Sequence, residues 1–96
     1  MSVVDDLVVS HEEQEQRYVG RLDGEVVVLA NYVAQGSSIV VVHTEVVPAH
    51  ENEGLATKLV AFALQDVRAR GMRVVPACSF VRLYLRRHAE ENADIL

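Results

Sequence analysis

The hydrophobic pattern changes period at Pro48, and that change constrains the fold more than any other feature of the sequence. Before it, apolar residues come in β-branched runs, Val26-Val27-Val28-Leu29 and Ile39-Val40-Val41-Val42, the second running on toward Val46. After it, Leu55, Leu59, Phe62, Ala63 and Val67 recur at helical spacing. That spacing puts one apolar stripe on an amphipathic helix. Residues 48–53 form a polar loop between the two patterns, and Gly54 closes it. Strand, small-residue loop and helix N-terminus together make an arrangement that holds phosphate oxygens. The first amides of a helix lack internal partners, and the helix dipole is positive at that end.

The remaining elements follow from local signals. Residues 3–4 and 7–9 read as an edge strand, and residues 11–16 as a polar loop. Residues 17–22 and 25–32 read as strands joined at Asp23-Gly24, a two-residue hairpin signal because both positions tolerate positive φ. Gln35-Gly36-Ser37 is a second turn. The near-continuous apolar run from Ile39 predicts a central strand buried on both faces. Gly71 is placed to cap the helix. Residues 72–77 are β-branched and suit a strand beside residues 39–46, reached by a right-handed crossover. Phe80, Val81, Tyr84, Leu85 and His88 mark a second, short helix. The order is β-β-β-α-β-α: an α/β (α+β) domain with a mixed sheet whose first part is an antiparallel meander.

Ninety-six residues, half of them apolar, make one domain with a modest core. A net charge of -5 argues against a general nucleic-acid binder. The charge is uneven: ten of 14 acidic residues precede Gly54, and six of nine basic residues lie in 68–87. That asymmetry fits either ordinary solvated faces or a C-terminal half that meets an anionic ligand. No apolar run reaches the ~20 residues of a membrane span. Asp5 and Asp6 stand where a signal peptide needs basic residues. With Cys78 as the only cysteine and no metal-ligand spacing among the four histidines, a reducing, cytoplasmic setting without a metal is expected.

Several residues are candidates for chemistry. Cys78 falls between a predicted strand and a predicted helix, where the dipole and free amides favour thiolate. It is either a nucleophile or a packed core residue. Glu45 is a candidate general base, and Tyr84 a candidate acid. His43 and His88 read as packing residues in preference to catalytic ones. Arg82, Arg86 and Arg87 either solvate a helix or contact phosphate.

Three segments in order carry a resemblance: Thr44-Glu45-Val46-Val47-Pro48 with the Gly54-Leu55-Ala56 helix start, then residues 70–81 (R-G-M-R-V-V-P-A-C-S-F-V), then Tyr84-Leu85-Arg86-Arg87-His88. Over residues 8–96 the chain resembles the small, single-domain GNAT-like N-acetyltransferases, with their V-P-x-C-P-F-V and R-H-P-E-Y motifs. The resemblance implies a shortened acyl-CoA N-acyltransferase fold whose sheet splays at a central strand, with acetyl-CoA as acyl donor. It implies that Val41, Val42, His43, Thr44 and Val46 offer backbone groups to the pantetheine arm. The amides of Asn52, Glu53, Gly54, Leu55 and Ala56 would cradle the pyrophosphate, and Cys78 is the implied catalytic cysteine. The acceptor is an amine, or a peptide or protein lysine, because so short a chain has little left to build an acceptor pocket. The protein would act as a monomer or a homodimer. The chain departs from the family pattern at Asn52, where glycine is usual, and at Glu53, whose carboxylate would repel pyrophosphate. Ser79 and Ala89-Glu90-Glu91 replace further motif residues. These departures leave a non-catalytic acyl-CoA-binding or interaction domain as the alternative reading.

Overall fold

The computed structural model describes residues 3–96; Met1 and Ser2 lie outside the described residues. A five-stranded sheet carries both helices against one of its faces. The strands are β1 (Val8–Glu12), β2 (Arg17–Leu22), β3 (Glu25–Gln35), β4 (Ser38–Val46) and β5 (Arg73–Pro76). They lie side by side in chain order. The first four pair antiparallel as the expected meander, and β5 joins β4 in parallel. Helix α1 (Leu55–Ala69) makes the crossover from β4 to β5, and α2 (Ser79–Arg87) follows β5. The mixed α+β architecture is the one read from the sequence, with one strand more at its start.

That first strand differs from expectation in its limits. Val3–Asp6 is a short 3₁₀ turn, and pairing begins at Val8. His11 and Glu12 belong to the strand and not to a loop. Three contacts across the β1–β2 pair hold them. Glu12 receives Arg17 at 2.6 Å and Arg21 at 2.8 Å. The His11 ring stacks on Tyr18, with ring centroids 4.2 Å apart.

The helix ends follow the local chemistry. Asp23 and Gly24 both take positive φ, 51° and 83°, as a primed hairpin turn requires. At the C-terminus of α1, the Met72 N–H donates to the Val67 carbonyl and the Gly71 N–H to the Arg68 carbonyl. Gly71 has φ 69°, so this is a Schellman cap. Leu55, Leu59, Val60, Ala63, Leu64 and Val67 of α1 are buried against Tyr18, Val28, Ala30, Ile39 and Val41 of the sheet. Val81 and Leu85 of α2 complete the same core.

One sequence expectation fails here. β4 is flanked by strands on both sides, yet only one of its faces is covered. Val42 is 45% exposed. Val33, Val40 and Val75 form a cross-strand row on the open face, with Val33 and Val75 exposed. The cause is length: the described chain has two helices, and both pack against the other face.

A polar cluster joins β1, β2 and β3 to the last turns of α1. Asp66 accepts from the Tyr18 hydroxyl at 2.8 Å and from Arg70 Nε at 2.8 Å. His11 Nδ1 lies 3.1 Å from the same carboxylate, and His11 Nε2 lies 2.6 Å from the Tyr32 hydroxyl. Arg70 Nη2 also lies 3.0 Å from His11 Nδ1. A neutral ring either donates from Nδ1 to Asp66 and accepts from Tyr32, or accepts from Arg70 at Nδ1 and donates from Nε2 to the Tyr32 oxygen. Burial lowers the His11 pKa; Asp66 opposes this, Arg70 adds to it and Glu13 opposes it. The neutral form is therefore favoured by folding, so His11 contributes stability above the unfolded pKa of about 6.5 and loses it as pH falls below that value. Thermal melting at pH 7, 6 and 5 should show a falling midpoint, and His11→Gln should flatten that dependence. A wild-type midpoint that does not fall between pH 7 and 5 contradicts the assignment.

Candidate active site

The parallel pairing of β4 and β5 ends early, and the cavity lies where it ends. The last paired residues are Val41 and Pro76, after which the Ala77 N–H donates to the Val41 carbonyl at 3.0 Å. β4 continues to Val46, while the other chain turns away into α2. A one-residue irregularity in the β3–β4 register sits between Asn31 and Tyr32, opposite Val42. It resets the alternation of β4. Ile39 and Val41 face the core, and beyond the bulge Thr44 and Val46 face that same side.

The resulting cavity, of about 490 Å³, is lined by Thr44, Val46, His50, Glu51, Asn52, Gly54, Leu55, Ala56, Thr57 and Phe80. Its floor is the start of α1. Gly54 is the N-cap, at φ 80° and ψ 10°, and no side chain caps the helix. The first-turn amides are thus not consumed by a capping side chain. Asn52 has φ 65°, a left-handed conformation that asparagine tolerates best among the non-glycine residues. Glu53 turns to His50, whose Nδ1 lies 2.6 Å from its Oε1. That pairing gives the carboxylate a partner that opposes its charge when protonated.

The structure gathers some candidate residues and separates others. Thr44, Val46, Asn52, Gly54, Leu55 and Ala56 share the cavity. Val41 is buried in the core, and its carbonyl is engaged by Ala77. Val42, His43 and Glu45 are exposed, and His43 Nε2 lies 3.5 Å from Glu45 Oε2. By alternation, His43 and Glu45 project to the open face. Tyr84 stacks on His88 and lines a separate cleft between the helices. Burial and the charge of Glu91 raise its pKa, so the phenol keeps its proton. Phe80 and Thr57 also line the cavity; Phe80 was read from the sequence as a helix and motif residue and not as a site residue, and Thr57 carried no distinguishing signal. Both occupy the first turn of a helix, and that position is the only clue the sequence offered.

Cys78 is the N-cap of α2 and is half-buried behind Thr44. Its Sγ lies 3.2 Å from Thr44 Oγ1. Burial alone pushes its pKa up. The Thr44 hydroxyl and the first-turn amides of Val81 and Phe80 outweigh burial, and the thiol titrates below its ordinary value. The thiol makes no regular capping hydrogen bond, so the amides act through their dipoles at longer range. Cys78 does not itself line the cavity, which ends at Thr44 with the acidified thiol behind it and open helix amides at the other end; that arrangement suits a donor that carries a thioester at one end and phosphates in its middle.

The sequence profile of the GCN5-related N-acetyl-transferase family matches residues 17–95. No curated protein sequence matches the chain. The solution structure of a GCN5-like protein from Staphylococcus aureus is similar over 94% of this chain and 87% of that one, with a TM-score of 0.71 and 17% identity. The ribosomal-protein-S18-alanine N-acetyltransferase of Escherichia coli matches 88% of this chain with a TM-score of 0.62 and 13% identity, but this covers 52% of its own length. N-acetylglutamate synthase from Neisseria gonorrhoeae, in complex with coenzyme A and N-acetyl-glutamate, matches 78% of this chain and 19% of its own, with a TM-score of 0.62 and 15% identity. At these identities the likeness is one of fold.

Proposed function

The chain belongs to the GCN5-related N-acetyl-transferase family, and from that premise we propose that it transfers an acetyl group from acetyl-CoA to an amine through Cys78. The carrying observation is the cavity that runs from the α1 N-terminus to Thr44, with the acidified Cys78 thiol hydrogen-bonded behind it.

In this reading the amides from Asn52 to Ala56 hold the pyrophosphate, and the free edge of β4 along Thr44 to Val46 receives the pantetheine amides. Positioning of the thioester carbonyl beside Sγ supplies most of the rate. The Cys78 thiolate attacks the acetyl carbonyl, the carbon–sulfur bond to CoA breaks, and the departing thiolate takes a proton from water. The amine then attacks acetyl-Cys78, the Sγ–carbonyl bond breaks, and the Cys78 thiolate is restored. The amine proton passes to water, because Glu45, the base expected from the sequence, projects to the open face of the sheet and away from the cavity. Thr44 donates to Sγ in its thiolate form and so acts as a positioning and stabilising residue.

The acidic loop weakens the donor's hold without abolishing it. Removing one carboxylate next to the pyrophosphate should tighten binding, so Glu53→Gln is expected to lower the acetyl-CoA Kd by roughly fivefold at low salt. Calorimetric titration checks this. Release of free CoA on incubation with acetyl-CoA and a lysine peptide tests the reaction itself. Binding without CoA release for any amine would replace the enzyme by an acyl-CoA-binding domain.

A further inference from the structure

Among the described residues that line the main cavity there is no lysine or arginine, and His50 is the single side chain that can carry positive charge. The donor nevertheless brings a doubly negative pyrophosphate to a loop that already holds the Glu51 and Glu53 carboxylates. We propose that binding of the donor is coupled to uptake of a proton by His50, and that the imidazolium, oriented by Glu53, is the side-chain partner of the pyrophosphate. The inference rests on the acetyl-CoA reading above and adds to it a residue and a dependence on pH.

Three observations carry it. The first is position. His50 ends the 3₁₀ turn Pro48–His50, and its N–H donates to the Val47 carbonyl at 2.9 Å. The Val47 N–H in turn donates to the Val27 carbonyl at 2.9 Å, so the ring stands on a turn pinned to β3. The second is hydrogen bonding. His50 Nδ1 lies 2.6 Å from Glu53 Oε1, and a carboxylate can only accept, so Nδ1 carries a proton. Nε2 is left without a partner among the described residues. In the neutral ring Nε2 presents a lone pair and repels a phosphate oxygen. In the protonated ring it presents an N–H and a full charge. The third is the surrounding charge. Among the described residues, the charged groups that face His50 are acidic. They are Glu51 and Glu53 on its own loop, Asp6 from the N-terminal 3₁₀ turn, and Asp23 and Glu25 from the β2–β3 hairpin. The last three lie across a second cavity of about 670 Å³, which shares His50 with the first. Lys58, the one basic residue in the first turn of α1, spends its ammonium on the carbonyls of Val4 and Leu7. No fixed cation is left in the cavity to balance the phosphates, so a proton is the remaining source of charge. Histidine is the side chain that takes one up between about pH 5 and 8. By linkage, a ligand that favours the protonated ring binds best where the ring is protonated, and affinity is lost as pH rises and the complex gives up that proton.

Calorimetric titration of the full chain with dephospho-CoA tests the coupling. This probe keeps the pyrophosphate, which is fully ionised across the range used, and lacks the phosphate monoester, whose own titration near pH ~6 would obscure the result. At fixed ionic strength the wild type should bind about fivefold more tightly at pH 6 than at pH 8. At pH 7 its binding heat should vary with the ionisation enthalpy of the buffer, in the sense of net proton uptake. His50→Gln, whose amide can still donate to Glu53, should bind with the wild-type pH 8 affinity throughout and take up no proton. His50→Lys, with a permanent charge, should bind at pH 8 about as tightly as the wild type does at pH 6. Equal wild-type affinity at pH 6 and pH 8, or a pH dependence that persists in His50→Gln, overturns the coupling while the acetyl-CoA reading stands. Failure of the wild type to bind dephospho-CoA and acetyl-CoA at millimolar concentration overturns that reading, and this inference with it.

Discussion

Cys78→Ala should abolish acetyl transfer while leaving the fold intact. Incubation of the wild type with acetyl-CoA should add one acetyl mass that hydroxylamine removes, since a thioester yields to hydroxylamine and an amide does not. The variant should show no adduct, and its turnover should fall by about 1,000-fold or more, because no other group of the cavity replaces a lost nucleophile. The thiol of the wild type should titrate below the ~8.5 of a free cysteine. Cys78 is half-buried at the edge of the core, and its side-chain hydrogen-bond partner among the described residues is Thr44, so truncation removes one sulfur from the margin of the core. Thr44→Val, which keeps the shape and deletes the donor, should raise the thiol pKa toward its ordinary range and slow adduct formation at neutral pH. A Cys78→Ala protein with full transfer activity would make the cysteine structural. Direct attack of the amine on bound acetyl-CoA would then be the route.

Gly20→Ala should be among the most damaging single-methyl changes in the chain. A Cβ at Gly20 would stand 2.6 Å from Val28 Cγ1 and 2.9 Å from both δ-carbons of Leu7. Leu7 is 4% exposed and Val28 1% exposed, so neither has open space to move into. Overpacking of this kind costs about 1–3 kcal/mol, a large share of the stability of a small domain. Gly20→Val should be worse despite the better strand propensity of valine. The Leu7 contact has a test of its own. In a double-mutant cycle measured by urea unfolding, Leu7→Ala should cost less in the Gly20→Ala background than in the wild type. Additive losses would show that the 2.9 Å approach is relieved by rotation of Leu7. The same packing fastens the N-terminal segment over the sheet, where Lys58 Nζ also donates to the carbonyls of Val4 and Leu7.

The parts of the fold that were legible in the sequence are those set by neighbours along the chain. The Asp23-Gly24 hairpin, the stripe of α1, its Gly71 cap and the turn into α2 at Cys78 each rest on a few consecutive residues. β1 was only half legible because its last residues are held from a distance, by Arg17, Arg21 and Tyr18. A polar His-Glu pair reads as loop until those partners are placed. The open face of β4 was misread for a different reason. Four apolar residues in a row cannot say how many helices are available to cover them. The site was legible at its loop, where Asn52 stands in the left-handed conformation that glycine usually supplies. It was not legible on β4, where the irregularity at Val42 decides which side chains reach the cavity. An inserted residue in a strand leaves no mark on a period-two pattern, so Thr44 and Glu45 could not be assigned to faces from spacing alone. The groove between α1 and α2 was equally hidden, because it joins Thr57 to residues a full helix away.

The central claim is that the cavity between the α1 N-terminus and Thr44 receives acetyl-CoA. Amide chemical-shift mapping during titration with acetyl-CoA tests it most directly. Saturable shifts are expected at Thr44 and Val46, at Asn52 to Ala56, and at the Phe80 turn that follows Cys78. The open-face positions Val33, Val40 and Val75 should stay still. Shifts confined to that open face, or no shifts at millimolar acetyl-CoA, would contradict it.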